Sequence, residues 1–261
     1  MQGKKIYFAS DFHLGSDRGN LTSNKREKKI VRWLETIRHD AHEIYLVGDV
    51  FDFWFEYSTV VPKGYIRLLG KLAELRDAGI PIYFFIGNHD MWMFKYFEKE
   101  LDIPIYRKPI IKDFNGKKFF IGHGDGLGPG DYGYKFLKKI FTNKICQFLF
   151  ARIHPNLGVG IANFWSKKSR DVSPAALRFL GEEKEWLLTY CNEKLDEVAA
   201  DYFIFGHRHL PIDYTLKNGH SRYINIGEWM YACSYAVFDG NDITIQFFEN
   251  EEGKIYSSPA R

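Results

Sequence analysis

Cysteine is scarce in this sequence. Cys146, Cys191 and Cys233 are the three in a chain of 261 residues, and they lie far apart. An odd number of widely separated cysteines argues against a disulfide framework and against a zinc site built from thiolates. The sequence therefore predicts a protein of a reducing compartment, and we expect it in the cytoplasm.

Long hydrophobic runs are also missing. The first residues contain two lysines and then a short strand-like segment, rather than the apolar core of a signal peptide. No apolar run approaches the ~20 residues needed to span a bilayer. Internal repeats and low-complexity linkers are absent as well. We therefore expect one α/β domain over residues 1–261, which is soluble or at most bound to a membrane surface.

Acidic residues are missing from one segment. Between Tyr132 and Arg170 there are eight Lys or Arg and no Asp or Glu, whereas the remainder carries 28 basic and 33 acidic residues. The same segment is helix-like and apolar on more than one face. It predicts a basic helical insertion at about 132–170, here called the cap, and its charge suggests an anionic partner.

Five short apolar runs, each typical of a buried strand, end in residues that bind metals or transfer protons. A glycine stands at the turn after four of these runs. The carboxyl ends of strands border the ligand crevice of open α/β folds, so we expect these residues to meet at one site. In chain order they are Asp11 and His13; Asp49; Asn88, His89 and Asp90; His123; and His207 and His209.

The remaining pattern predicts the elements around this site. The first three strands alternate with two helices, which predicts parallel strands joined by right-handed crossovers. Five further strands are expected between residues 201 and 248. The predicted helices begin near Asn24; after Pro62, with Ile66, Leu69, Leu72 and Leu75 facing inward; at Met91, ending at Leu101; and at Ser173, ending near Ala200.

The chemistry of these residues favours two metal ions. Mixed imidazole and carboxylate ligation suits manganese, iron or zinc better than calcium. The candidate ligands are Asp11, His13, Asp49, Asn88, His123, His207 and His209, with Asp49 as the bridge. Two metals ~3.5–4 Å apart clamp the attacking and leaving oxygens of a phosphoryl displacement and lower the pKa of bound water toward ~7.

Two further residues have catalytic roles available. His89 could protonate the leaving group or hold a phosphate oxygen, and Asp90 could orient it. Any single Asp at a strand end is more often a turn residue or a helix cap. The set has the order DxH, GDxxD, GNHD, GHGD and GHxH, and a chance origin for that combination is very improbable.

These five motifs resemble those of the calcineurin-like metallophosphoesterase superfamily. The resemblance implies an α/β (α+β) fold, a sandwich of two mixed β-sheets flanked by helices. It is closer to the UDP-2,3-diacylglucosamine pyrophosphatase family, which implies cleavage of a UDP-linked diacyl sugar to a lipid monophosphate and UMP in lipid A biosynthesis. The residues that carry it are Gly48-Asp49-Val50-Phe51-Asp52-Phe53-Trp54, His123-Gly124-Asp125, Asp131, Gly133-Tyr134 and Gly227-Glu228-Trp229.

The resemblance also implies the cofactors, the substrate contacts and one departure. We expect two divalent ions, manganese first, with iron or zinc as alternatives. His89 stands where that family commonly has Arg, and His can transfer a proton whereas Arg cannot. A related branch that acts on another diphosphate therefore stays open. The implied substrate contacts are Asn88, His89, Asp131, Tyr134, Lys167, Lys168 and His207.

The cap suggests the partners. Its basic residues suit phosphates, and its aromatic residues could line an acyl groove, sit at a membrane interface or pack a core of the cap itself. We expect a UDP-linked lipid substrate and transient contact with the inner face of the membrane. A nuclease and a non-catalytic metal-bound scaffold are the alternatives; nucleic acid is not expected as a partner. The aromatic residues concerned are Phe136, Phe141, Phe148, Phe150 and Trp165.

Overall fold

The computed structural model describes residues 3–17, 21–130, 132–169 and 178–250, with the backbone alone for 163–169. One sheet has six strands: β1 (Lys5–Ala9), β2 (Ala41–Val47), β3 (Ile82–Phe85), β4 (Ile105–Tyr106), β10 (Ser234–Phe238) and β11 (Ile243–Phe247). Their spatial order is β11-β10-β1-β2-β3-β4. Strands β1, β2 and β3 are parallel, as the order of the elements predicted, β4 is parallel to β3 as well, and β10 and β11 are antiparallel additions.

The second sheet has five strands. They are β5 (Ile110–Phe114), β6 (Lys117–Ile121), β7 (Tyr202–Phe205), β8 (Ile212–Thr215) and β9 (Arg222–Asn225). The order is β5-β6-β7-β9-β8, with β6, β7 and β9 parallel and the outer strands antiparallel. Each sheet is therefore mixed, with parallel strands at its centre.

The sheets pack face to face, and helices cover their outer faces. Ile6 and Phe8 of β1 point into the layer between the sheets, where the Phe8 ring stacks on Phe119 with 5.9 Å between centroids. Tyr7 and Ala9 point to the other side. Because β1 is buried on both faces, its sequence is an uninterrupted apolar run. The predicted sandwich of two mixed sheets flanked by helices is confirmed.

Three helices cover the six-stranded sheet and one covers the other. The first three are α1 (Ser23–Ile37), α2 (Ile66–Asp77) and α3 (Tyr96–Glu100). Helix α7 (Trp186–Lys194) packs Leu187 and Leu188 against β7. The helix predicted over 173–200 was too long at both described ends, because residues 178–185 form a turn in which Gly181 has a φ of +90°, and α7 ends six residues before Ala200. The predicted start at Ser173 lies outside the described residues.

The inward face predicted for α2 was partly wrong. Ile66 is 75% exposed, and the buried stripe is Leu68, Leu72 and Leu75. The carboxylate of Glu27 in α1 accepts hydrogen bonds from the amides of residues 67 and 68, at 2.9 and 3.1 Å, and so fixes the first turn. A stripe through 68, 72 and 75 follows the helical period, and Ile66 falls outside it.

The predicted helix over 91–101 is also shorter, because α3 begins only at Tyr96. Residues before it pair with the loop after β2 instead: Phe55 and Trp92 form a parallel bridge, and the amide of Glu56 donates to the carbonyl oxygen of Trp92. Burial of Met91 and Trp92 in an aromatic cluster with Phe55 outweighs their helical tendency.

The cap consists of α4 (Tyr132–Thr142), α5 (Lys144–Phe150) and α6 (Pro155–Ser169). No residue of α4 or α5 is fully buried. Phe141 and Phe150 pack instead on an aromatic cluster that includes Phe53, Phe55 and Trp92, and the Trp92 indole donates to the carbonyl oxygen of Phe141 at 2.7 Å. The cap is therefore attached to the loops around the site. Among the described residues, no helix has the length and apolar character to cross a membrane.

Candidate metal centre

The strands that precede the candidate ligands lie side by side. In the six-stranded sheet β1, β2 and β3 are parallel neighbours, and in the other sheet β6 and β7 are parallel neighbours. Residues that follow all five strands lie close together, so the five carboxyl ends open at the same edge of the sandwich. The residues singled out from the five apolar runs meet there.

A first group of ligand atoms comes from Asp11, His13, Asp49 and His209, and these atoms lie within 4.8 Å of one another. His209 Nε2 is 3.0 Å from Asp11 Oδ1 and 3.0 Å from His13 Nε2. His13 Nε2 is 3.6 Å from Asp11 Oδ1. Two imidazoles and two carboxylates thus converge on one point.

A second group comes from Asp49, His123 and His207. His123 Nε2 is 3.3 Å from Asp49 Oδ2, and it is 3.4 Å from the side-chain oxygen of Asn88. Asp49 belongs to both groups, which is the position that a bridging carboxylate requires.

The donor set fits a pair of cations. Asp11 Oδ1 and Asp49 Oδ2 are buried, and each faces a histidine nitrogen, His209 Nε2 at 3.0 Å and His123 Nε2 at 3.3 Å. Burial raises the pKa of each carboxyl, but nearby histidines, chiefly His209 for Asp11 and His123 for Asp49, lower it well below its usual range. Buried, ionised carboxylate oxygens that face several imidazoles are suitable ligands for divalent metals.

The ligand loops have an unusual backbone. Of the ten described non-glycine residues with positive φ, five are candidate ligands, namely Asp11, His13, Asp49, His207 and His209. Such conformations cost of order 1–3 kcal/mol each and persist where surrounding contacts enforce them. Gly48 is needed for the same close packing: its φ is +84°, and a Cβ there would lie 2.4 Å from His123 Nδ1.

Hydrogen bonds orient the ligands. His123 Nδ1 lies 2.8 Å from the carbonyl oxygen of Val47, which leaves Nε2 directed to the centre. The amide of His207 donates to Asp11 Oδ2 at 3.0 Å, and the amide of His89 donates to Asp49 Oδ1 at 2.9 Å. Partners of this kind fix the direction of metal ligands.

Two buried residues to which the sequence assigned no role at the site hold these loops. The guanidinium of Arg26 donates to the carbonyl oxygens of Phe12 and His13, both at 2.7 Å. Arg26 lies four residues before Ile30, on the face of α1 that was predicted to be buried, and this was the available signal. The Glu228 carboxylate accepts amide hydrogen bonds from the turn that follows it and so holds the loop in which Trp229 donates its amide to the carbonyl oxygen of Asp11, at 3.1 Å.

His89 and Asp90 occupy different surroundings. His89 lies beside His13, and its Nδ1 is 3.0 Å from the carbonyl oxygen of Asp52. Asp90 was predicted to orient the His89 ring, and the hydrogen bonds described for its carboxylate come from backbone amides instead. It accepts hydrogen bonds from the amides of Gly87 and Val50, at 2.7 and 2.8 Å, and so joins the loops after β2 and β3.

The remaining predicted substrate contacts lie at the cap. The Tyr134 hydroxyl donates to Asp125 Oδ2 at 2.5 Å, and its ring centroid is 6.4 Å from that of His207. Lys138 also contacts Asp125, so this buried carboxylate attaches α4 to the loop after β6. Asp131 lies outside the described residues, and so do the side chains of Trp165, Lys167 and Lys168.

Comparison with known proteins gives a consistent result. A family model described as calcineurin-like phosphoesterase matches residues 4–211. The chain is 40% identical over 262 residues to a UDP-2,3-diacylglucosamine hydrolase of Porphyromonas gingivalis, covering 95% of this chain and 99% of that protein. Proteins of the same name from Aeromonas salmonicida and a Shewanella species are 30% and 28% identical, and these matches cover 88% and 93% of this chain and 88% and 96% of the relatives.

The two ligand groups, the two mixed sheets and these sequence matches support the same family assignment. The family model spans both sheets' ligand-bearing strands, and the P. gingivalis protein matches nearly from end to end. This chain belongs to the calcineurin-like phosphoesterase family.

Proposed function

We propose that this protein is a metal-dependent hydrolase that cleaves the diphosphate of UDP-2,3-diacylglucosamine to 2,3-diacylglucosamine 1-phosphate and UMP, a step in lipid A biosynthesis. The observation that carries the proposal is the pair of ligand groups that share Asp49. The substrate is taken from the P. gingivalis relative and its 40% identity. We also propose one domain over residues 1–261, with the cap as its insertion.

The metal ions would be held by the two groups already described. Asp11, His13 and His209 would bind one ion, Asn88, His123 and His207 would bind the other, and Asp49 would bind both. When bound, two divalent cations would neutralise phosphate charge and lower the pKa of bound water. Manganese is the proposed metal, with iron or zinc as alternatives, because the ligands are a mixture of imidazole, carboxylate and amide oxygen.

His89 is proposed to act on the substrate. Its Nδ1 faces the Asp52 carbonyl oxygen, which can only accept a hydrogen bond, so Nδ1 carries a proton and Nε2 is the ring atom proposed to act on the phosphate. Through Nε2 the ring can donate a proton to the leaving oxygen once protonated there, or hold a phosphate oxygen. Asp90 supports this role at a distance, because its bonds to backbone amides fix the loop that carries His89.

Metal binding is expected to release protons. Burial lowers the pKa of His123, but the Asp49 carboxylate at 3.3 Å more than compensates and raises it to about 10 in the metal-free protein. At pH 7, below that pKa, the ring is protonated, and a metal binds only its neutral form. Titration calorimetry at pH 7 in buffers of different ionisation enthalpy should therefore show release of about one proton from this group. An apparent enthalpy that is independent of the buffer would contradict this.

Eight large apolar side chains of the cap are exposed, and we take them as an apolar face for the lipid. Lys139, Lys144 and Arg152 of the cap are exposed as well, and the Arg152 guanidinium lies over the Phe148 ring. Large exposed apolar patches rimmed by basic residues are typical of surfaces that bind lipids or membranes. We propose that this face receives the acyl chains and makes transient contact with the inner face of the cytoplasmic membrane. Its exposed side chains are Tyr132, Phe136, Ile140, Ile145, Phe148, Leu149, Leu157 and Ile161.

Replacing Phe136 and Phe148 with Ser tests this face. The two rings are 65% and 57% exposed, so their loss should leave the fold intact. We expect turnover of the lipid substrate to fall by about 10-fold or more. Each ring that an acyl chain covers would contribute roughly 1.5–3 kcal/mol to substrate binding. Hydrolysis of bis-p-nitrophenyl phosphate, which has no acyl chain, should hardly change. The measured quantity is the ratio of the two activities.

Two control variants separate recognition from stability. Ile111→Ser removes an apolar side chain of similar exposure, 53%, from β5 outside the cap, and should change neither activity. Phe141→Ser removes a ring that packs on Trp92, so both activities and the melting temperature should fall. If the Phe136 and Phe148 variant loses activity equally on both substrates, the cap has a structural role and does not recognise the lipid.

A direct assay tests the reaction itself. Purified protein with Mn²⁺ should convert UDP-2,3-diacylglucosamine to UMP and the lipid 1-phosphate, identified by mass spectrometry. Another diphosphate or a phosphodiester, including a nucleic acid, is the second candidate, because His89 replaces the Arg common in the family that the motifs resemble. Faster turnover of single-stranded DNA than of the UDP-lipid would favour that candidate, and inactivity on every phosphoester would leave a metal-bound scaffold.

A further inference from the structure

Arg208 stands between two candidate ligands that bind different metal ions. His207 belongs to the group with His123, and His209 belongs to the group with Asp11. Both histidines have positive φ, +66° and +57°, a backbone conformation that L-residues rarely adopt. Something outside the segment must hold it in place.

The holding contact is a buried ion pair. Arg208 Nε donates to one carboxylate oxygen of Glu185 at 2.8 Å, and Nη2 donates to the other at 2.9 Å. Their side chains are 4% and 1% exposed. Two parallel bonds of this kind fix direction as well as distance. Nη2 also donates to the carbonyl oxygen of residue 178, at 2.7 Å.

Glu185 is itself fixed. It stands at the N-cap of α7, and its Oε1 accepts the amide of Leu180 at 3.1 Å. The next residue, Trp186, lies under the Arg208 guanidinium, 5.9 Å from the ring centroid, and meets the His207 ring edge-on at 6.4 Å. The start of α7 therefore contacts both the Arg208 side chain and one of the flanking ligands.

We infer that Arg208 and Glu185 form a positioning pair that sets the geometry of both metal-binding histidines, and thereby the affinity for both ions. Neither residue needs to touch substrate for this role. The inference rests on the proposed function only in taking His207 and His209 as metal ligands. It follows because the pair is rigid and buried, while the segment it anchors would relax to ordinary φ values without it.

Arg208→Lys and Glu185→Gln test the inference. Lysine keeps the charge but not the two-bond geometry, and glutamine keeps the shape of the carboxylate but has a single acceptor oxygen. Metal-free full-length protein is titrated with Mn²⁺, and the affinity at each site is measured. Both variants should bind manganese about 10–100-fold more weakly than the wild type.

Arg222→Lys is the matched control. Arg222 makes the same kind of two-bond pair with Asp213, through Nε and Nη2, in the same sheet. Arg222 lies at the amino end of β9, whereas the metal ligands follow the carboxyl ends of their strands, so it is not part of the metal centre. Its replacement should leave manganese affinity unchanged. Melting temperatures with and without manganese are measured for every variant, because a metal that binds more weakly stabilises less.

The outcomes separate a positioning role from a structural one. Lower melting temperatures of the metal-free Arg208 and Glu185 variants, with manganese affinity equal to wild type, would overturn the inference. If Arg208→Lys does not fold, Glu185→Gln, which changes one atom, decides alone. Failure of the wild type to bind manganese at all would instead overturn the proposed function.

Discussion

Replacing Asp49 with alanine is expected to remove both metal ions and to lower hydrolysis by several orders of magnitude. Asp49 is the residue common to the two ligand groups. Its Oδ2 is 3.3 Å from His123 Nε2 and 3.9 Å from His13 Nε2. Without this carboxylate each ion would lose an anionic ligand, and the remaining imidazoles would repel each other once protonated. The charge stabilisation that two metals give to a phosphoryl transfer would be lost with them.

The measurement is metal content by elemental analysis, made on variants shown by circular dichroism to be folded. Asp196→Ala is the control, because its side chain is 79% exposed and Asp196 belongs to neither ligand group. It should keep two ions and full activity. Two ions retained in folded Asp49→Ala would show that Asp49 is not the bridge.

Replacing His89 with asparagine should have the next largest effect on hydrolysis, but unlike Asp49→Ala it should leave the metal content unchanged. The ring contacts the His13 ring and the Asp52 carbonyl oxygen, and none of the contacts described for the Asp49 carboxylate depends on it, since the Asp49 partner is the His89 amide. Both ions should therefore remain. Turnover should fall by roughly 10²–10⁴-fold if the ring transfers a proton to the leaving group.

His89→Arg separates the two chemical roles of this position. Arginine can hold a phosphate oxygen through its N–H groups, but it does not release a proton at ordinary pH. We expect it to be as impaired as His89→Asn. Recovery of activity in the arginine variant would show that His89 holds an oxygen, and turnover near wild type in metal-loaded His89→Asn would remove the residue from the chemistry.

The sequence by itself determined the strands and the residues at their ends. A strand buried on both faces, such as β1, is encoded by a continuous apolar run. A ligand at the end of such a strand is marked by a turn residue next to it. Both are local properties, so the parallel order and the convergence of Asp11, Asp49 and His123 could be predicted. The catalytic and substrate-binding roles of these residues stay predictions.

Only the tertiary structure decided how the loops are held. The sequence indicated only that Arg26 lies in a helix. In the structure its guanidinium donates hydrogen bonds to carbonyl oxygens of the loop after β1. Asp90 could be paired with its neighbour His89 by sequence, but it bonds to backbone amides of two loops.

The cap and the Arg208 pair depended on tertiary structure in the same way. Phe141 and Phe148 look equivalent in sequence, yet one packs on Trp92 and the other is exposed. Arg208 reaches Glu185, 23 residues away along the chain. Such contacts depend on how two sheets and their helices pack together. Periodicity specifies which face of an element is buried, but the partner across that face is fixed only when residues distant in sequence are brought together.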